Sequence, residues 1–286
     1  MSGGRAVPVR ARRVASRLRD LRLRSGSTAS EVARALGISP TKLSRMESAQ
    51  RGLKSDDVAA LLGFYRVPAR ERQDVLNLVR NAMSPNWWTI PHSSLEQTWA
   101  DFTSFEAEAT ALRSYETMLV PGLLQSPGYV AAVAQVLPGR PDEVLLRRLL
   151  DQRVARQTLL HSSRRFEFLI EQTVLERLVG SAAVMHQQLQ RVAAVAHRAN
   201  VSVQVLPLSA GAHAGLDGPF LYLEFAEHAD LVLGETVGCL SYVEEEPVVA
   251  ERREVLRSLR ESALSPVESI DLVQHLADDW HRRASE

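Results

Sequence analysis

A single cysteine, Cys239, in 286 residues rules out an intrachain disulfide and a zinc cluster built on thiolates. Alone in a strand-like run, it reads as a small apolar core residue. The eight histidines are scattered without HExxH or comparable spacing, so no metal site is expected. Also missing are the GxSxG nucleophile elbow, the GxxxxGKS/T phosphate loop and the GxGxxG dinucleotide fingerprint. Nothing therefore points to catalysis; the expectation is a non-enzyme with no cofactor. No apolar run reaches the length of about 18 residues that would suggest a membrane span. The basic N-terminus lacks the apolar stretch of a secretory signal, so a cytoplasmic setting is expected. No repeat or low-complexity segment is present.

Charge is balanced over the whole chain, 34 basic against 34 acidic residues, but not along it. Residues 1–83 hold 17 Lys and Arg against 7 Asp and Glu, hence +10, and the remainder carries −10. Such asymmetry points to a polyanionic partner for the basic part. Arg5, Arg10, Arg12 and Arg13 read as a flexible basic arm over residues 1–13, suited to phosphates or a minor groove.

Within the basic part, residues 27–47 (STASEVARALGISPTKLSRME) have the spacing of two short helices around a tight turn. Ser27 or Thr28 starts the first helix by accepting from its free amides, and Val32, Ala33 and Leu36 form its apolar face. Gly37 ends it, because glycine enters the left-handed conformation without a Cβ penalty. Ser39 is a good N-cap and Pro40 fits the first helical position, so a second helix runs from 40 to about 48. Leu43 and Met46 turn inward, which leaves Thr41, Lys42, Ser44 and Arg45 as a polar, cationic outer face. Such a face suits the major groove: Arg pairs bidentately with guanine, and Thr offers a hydroxyl or a methyl. Lys42, Ser39 and Thr28 suit phosphates better. The bland alternative is a helical packing module with a solvated face. Against it stand the charge surplus and flanking apolar stripes, Val14/Leu18/Leu21 before and Val58/Leu61/Leu62/Tyr65 after, which with Val75, Leu76, Val79 and Met83 imply a bundle of about five helices over 14–83.

Residues 14–68 resemble the helix-turn-helix of the phage-repressor-like (Cro/C1, or XRE) family of double-stranded DNA-binding regulators. The resemblance implies that Pro40, Thr41 and Arg45 face bases, that Thr28, Ser39 and Lys42 lie near phosphates, and that Arg22 pairs with Glu47 inside the fold. Two positions depart from the family pattern. Ala29 stands where Gln is frequent and cannot donate to a phosphate. Ala49 stands where Gly is frequent and would be strained in a left-handed turn, so a differently built turn is expected there. Pro40 cannot hydrogen-bond a base through its side chain, which places direct readout on Thr41, Lys42 and Arg45.

A linker is expected over 84–94, with Trp87 and Trp88 as apolar anchors. The remaining 95–286 is long enough for a substantial core. Its hydrophobic patterns predict helices at 95–115, 127–136, 141–160, 173–178, 182–198, 247–263 and 266–283, and strands at 165–171, 201–206, 220–225, 231–235 and 239–244. The fold class is therefore α+β: an all-α five-helix domain followed by a larger mixed domain. In this second part FEAEATALRSYETMLVPGLLQSPGYVAA, RVARQTLL, FEFLIEQTVLERLVG, QLQRVAAVAHRANVSVQVLP and GAHAGLDGPFLYLEF resemble the C-terminal domain of actinobacterial repressor-like regulators, the Scr1/WhiJ-like group. The resemblance covers roughly 102–280 and implies a sensor or a dock for a small companion protein or small-molecule effector.

The glycine-rich segment 211–219 (GAHAGLDGP), with His213 and Asp217, is a candidate functional surface or a long turn between strands. Glu171, Gln172 and Glu176 line a pocket or face water. A helix-turn-helix reads one half-site, so a homodimer is expected, with 247–263 and 266–283 as interface or as core cover. The leading reading is a dimeric transcription regulator. The alternative is a protein-interaction or antitoxin-like module whose DNA binding is secondary and autoregulatory.

Overall fold

The computed structural model describes residues 9–49, 53–81, 88–91, 95–136, 141–236 and 239–286. The chain divides into two compact units, residues 1–88 with 227–229, and residues 89–226 with 230–286.

The first unit contains five helices: α1 (Val9–Arg24), α2 (Ala29–Ala35), α3 (Pro40–Glu47), α4 (Ser55–Phe64) and α5 (Ala69–Asn81). Their shared core holds Val14, Leu18, Val32, Leu43, Val58 and Leu61, each fully enclosed. α1 starts inside the stretch expected to be a flexible arm. The physical reason is Ala11, 8% exposed, which extends the Val14/Leu18 stripe backwards by three residues. Arg10, Arg12 and Arg13 are therefore helical, with Arg12 buried; Arg5 lies outside the described residues.

The second unit is built on a seven-stranded sheet in the order β1-β7-β6-β5-β2-β3-β4. In chain order its elements are β1 (Trp88–Pro91), α6 (Leu95–Glu108), β2 (Ala111–Glu116), α7 (Pro127–Val136), α8 (Glu143–Gln157), β3 (Arg165–Glu171), α9 (Gln172–Glu176), α10 (Ala182–Ala196), β4 (Val201–Leu206), β5 (Phe220–Glu224), β6 (Leu231–Thr236), β7 (Cys239–Val243), α11 (Glu246–Ser262) and α12 (Pro266–Ser285). β2, β3 and β4 run parallel, joined by helical crossovers, whereas β5, β6 and β7 are antiparallel neighbours on the far side of β2. α11 brings Val249, Leu256 and Leu259 onto Tyr115, Leu169 and Tyr222 of the sheet.

The expected α+β class holds, with one substantial correction. Residues 111–115 were expected to continue a helix, but they form β2, which pairs on both edges and is buried at Ala111, Leu112, Ser114 and Tyr115. A strand covered on both faces has no alternation to betray it, so its apolar content reads equally well as helix. Part of the expected linker is likewise a strand, since Trp88 opens β1 at the sheet edge; residues 84–87, including Trp87, and 92–94 lie outside the described residues. Cys239 is the first residue of β7.

Candidate nucleic-acid interface

The turn between α2 and α3 is closed by backbone geometry. Gly37 takes φ 64°, the Ile38 amide donates to the Ala33 carbonyl at 3.0 Å and the Gly37 amide to Arg34 at 3.3 Å. This is the paired-bond termination that a left-handed residue after a helix permits. Ser39 then caps α3, its Oγ accepting from the Lys42 amide at 3.1 Å, with Pro40 at the first helical position. That leaves the Ser39 hydroxyl proton available for a phosphate.

Leu43 and Met46 are 0% and 2% exposed and fix the inner side of α3. On the opposite side Thr41, Ser44 and Arg45 are exposed, three and four residues apart and therefore on one stripe. The charged flanks between these faces are each tied to another helix. Lys42 Nζ donates to Asp57 Oδ1 of α4 at 2.6 Å. Glu47 accepts from Arg22 of α1 through two parallel bonds, Nε to Oε1 at 2.8 Å and Nη2 to Oε2 at 2.9 Å. The bidentate bonds hold the Arg22 guanidinium above its ordinary pKa against the opposing effect of burial. Beside them, burial and then the Glu47 charge push the Tyr65 phenol up to about 12.

Two sequence readings change. Thr28 was assigned to phosphate, yet its hydroxyl donates to Glu31 Oε2 at 2.8 Å and its amide donates to the same oxygen at 2.8 Å, while the Glu31 amide donates back to Oγ1 at 3.3 Å. Thr28 is thus the cap of α2, and Glu31 holds the donors that a phosphate would take; these bonds lower the Glu31 carboxyl pKa. The turn after α3 is not built differently either. Ala49 adopts φ 55° and is 3% exposed, so its buried methyl offsets the left-handed strain that glycine would avoid.

Sequence reasoning missed the Asp57 counterion and the ion pair between Arg17 of α1 and Glu71 of α5. The available signal was Asp56–Asp57 in the first turn of α4, where acidic residues suit the helix dipole. The spacing did not show which cation they would meet.

In the second unit the 211–219 segment is latched rather than open. The Gly215 amide donates to His213 Nδ1 at 3.2 Å, so the neutral ring carries its proton on Nε2, 3.1 Å from Glu171 Oε1. The Tyr115 hydroxyl donates to the same carboxylate oxygen at 2.6 Å; burial, with that bond, raises the Tyr115 pKa. A Cβ on Gly215 would sit 2.5 Å from the Tyr115 ring. Asp217 pairs with Arg252 of α11. Gln172 accepts from the Leu208 amide and donates to Glu176. These polar groups satisfy one another and fasten the loop to the sheet. Among the described residues, no three His, Cys, Asp or Glu side chains converge as a metal site, and no helix is long and apolar enough to cross a membrane.

The family model described as "Helix-turn-helix domain" matches residues 13–75, enclosing the α2–α3 pair and the Arg22–Glu47 clasp. A second model, "Domain of unknown function (DUF5753)", matches residues 99–275. No curated protein matches the chain. Among solved structures, TrmBL2, an archaeal chromatin protein described as showing a novel mode of DNA binding, is 12% identical, with 74% of this chain and 72% of that chain covered and a TM-score of 0.31. A likeness that low carries no argument. The second model spans more than half of the protein and all of its sheet from β2 to β7, and the chain therefore belongs to the DUF5753 family, with a helix-turn-helix domain ahead of the family's domain.

Proposed function

We propose that this protein is a sequence-specific transcription regulator that reads double-stranded DNA as a homodimer and works by binding rather than catalysis. The observation that carries the reading is the outer stripe of α3. Thr41, Ser44 and Arg45 stand exposed on a helix whose inner face is locked in the core and whose flank is clasped by Arg22 and Glu47. A short, rigid, cationic helix at the second position of a helix-turn-helix presents base-reading groups to the major groove, and Arg45 suits guanine. Ser39 and Lys42 border the stripe and suit the phosphate backbone.

The C-terminal unit serves, on this reading, as the dock for an effector or a small companion protein of the regulator. Such control requires that the effector bind two states of the regulator with different affinity. Selection of bound fragments from genomic DNA tests the whole proposal. Recovery of a common, two-fold related sequence is expected, with affinity falling as salt rises, log K against log salt sloping by about −0.9 per phosphate neutralised. Recovery of fragments without a common sequence would remove the sequence-specific reading.

A further inference from the structure

Helix α8 is unusual among the long helices of the second unit because none of its residues is buried. One side is held to the body of that unit. Arg156 makes two 2.8 Å bonds to Glu106 and lies 4.6 Å from the Phe102 ring centroid, while Gln157 donates to the Gln125 carbonyl at 2.6 Å and accepts from Arg191 at 2.7 Å. The other sides leave Val144, Leu145 and Val154 at 64%, 44% and 53% exposure. α11 and α12, the sequence candidates for an interface, differ: Leu256, Leu259, Val273 and Trp280 are buried within the chain. The outer face of α11 carries Glu254, Arg257 and Glu261 paired along the helix, and α12 exposes a single large apolar side chain, Val267, in its first turn.

We propose that α8 pairs antiparallel with α8 of a second copy of this chain. Val144, Arg148, Asp151 and Ala155 are all exposed and follow one another at intervals of four, three and four residues, the spacing of a helix–helix seam. That stripe is self-complementary when reversed. A two-fold axis between Leu149 and Leu150 sets Val144 against Ala155 of the partner subunit and Arg148 against Asp151 of the partner subunit, each contact occurring twice. A parallel pairing would instead set Arg148 on Arg148 and Asp151 on Asp151, so charge selects the antiparallel arrangement. Arg147 and Glu143, off the stripe, bond to each other within the helix at 3.3 Å.

A 15-residue helix is about 22 Å long, and one such pair buries less than the about 1,200 Å² of a standard interface. The contact is accordingly weak alone and tightened when two helix-turn-helix domains occupy neighbouring half-sites, which raises the effective concentration of one α8 for the other. The proposal rests on the homodimer reading above and names its interface.

Sedimentation of the full chain over a concentration series, with and without two-half-site DNA, tests it. Wild type is expected to approach twice 31.7 kDa. Arg148→Glu and Asp151→Arg, each alone, bring like charges together across the axis and are expected, without DNA, to return the mass to 31.7 kDa. The double swap Arg148→Glu/Asp151→Arg restores opposite charges and is expected to restore the dimer. A purely intrahelical role for these residues would leave the mass unmoved in all variants. Single variants that remain dimeric without DNA overturn α8 as the interface while keeping the homodimer; a wild type that stays monomeric throughout, DNA included, overturns both.

Discussion

Lys42, on the flank of α3, donates from Nζ to Asp57 Oδ1 of α4 at 2.6 Å, so an aspartate already occupies a cation beside the stripe proposed to read bases. Both side chains keep about a quarter to a third of their exposure, 32% and 26%, and such a pair contributes only about 0–1 kcal/mol to stability. Its consequence is for DNA: a phosphate must compete with Asp57 for Lys42. Asp57→Asn is therefore expected to strengthen binding to specific and random DNA alike and to steepen the salt slope by about 0.9, read by fluorescence anisotropy across a salt series. Lys42→Ala should weaken all sequences equally. An unchanged slope in both variants would show that Lys42 does not reach a phosphate.

Arg45 stands on the outer stripe between Thr41 and Ser48, without a hydrogen bond or ion pair among the described residues. Arg45→Ala should cost about 1–3 kcal/mol of operator affinity and relax the preference at one base pair. Competition with single-base operator variants measures it. Equal losses on operator and random DNA would reassign Arg45 to the backbone.

The clasp between Arg22 and Glu47 joins α1 to α3, with side chains 14% and 8% exposed. Glu47→Ala leaves the guanidinium without its counterion in a largely buried position, with only the Nη1 bond to the Ser27 carbonyl remaining, which should cost about 3 kcal/mol. Amide hydrogen exchange in the full chain is expected to rise across residues 28–48 while β2–β4 stay protected.

Two capping boxes give a pH signature. Glu31 is bonded to Thr28 at α2, and Glu268 to Ser265 at α12; both carboxyls are held below their ordinary 4.5 by these bonds. A depressed folded-state pKa means that the unfolded chain takes up the proton first. The contribution is thus complete above the unfolded value and lost as pH falls through the folded one. The protection of amides at the first turns of α2 and α12, taken relative to their intrinsic exchange rates at each pH, should fall below about pH 4.5. Glu31→Gln should remove that pH dependence at α2 only.

Arg66 ends α4 in a left-handed conformation, φ 54°, its amide donating to Gly63 and the Val67 amide to Leu62. Because Arg66 is exposed, Arg66→Gly loses no burial and relieves about 1 kcal/mol of strain. The expected outcome is a higher melting temperature for the first unit, followed by circular dichroism; at Ala49 the same change is offset by the loss of a buried methyl.

The sequence by itself determined the helix-turn-helix, because its determinants are local. Thr28 and Ser39 as caps, Gly37 at a left-handed turn and Leu43/Met46 at helical spacing each act within a few residues, and strands such as Arg165–Glu171 and Val201–Leu206 announce themselves by runs of β-branched and aromatic residues. Only the tertiary structure decided what depends on partners far along the chain. β2 is a strand because β3 and β5 flank it, not because of its own pattern. Asp57 takes Lys42, and Glu171 gathers Tyr115 and His213 from distant segments. Electrostatic and sheet pairing act across space, where sequence spacing carries no information, whereas caps and turns act along the chain, where it does.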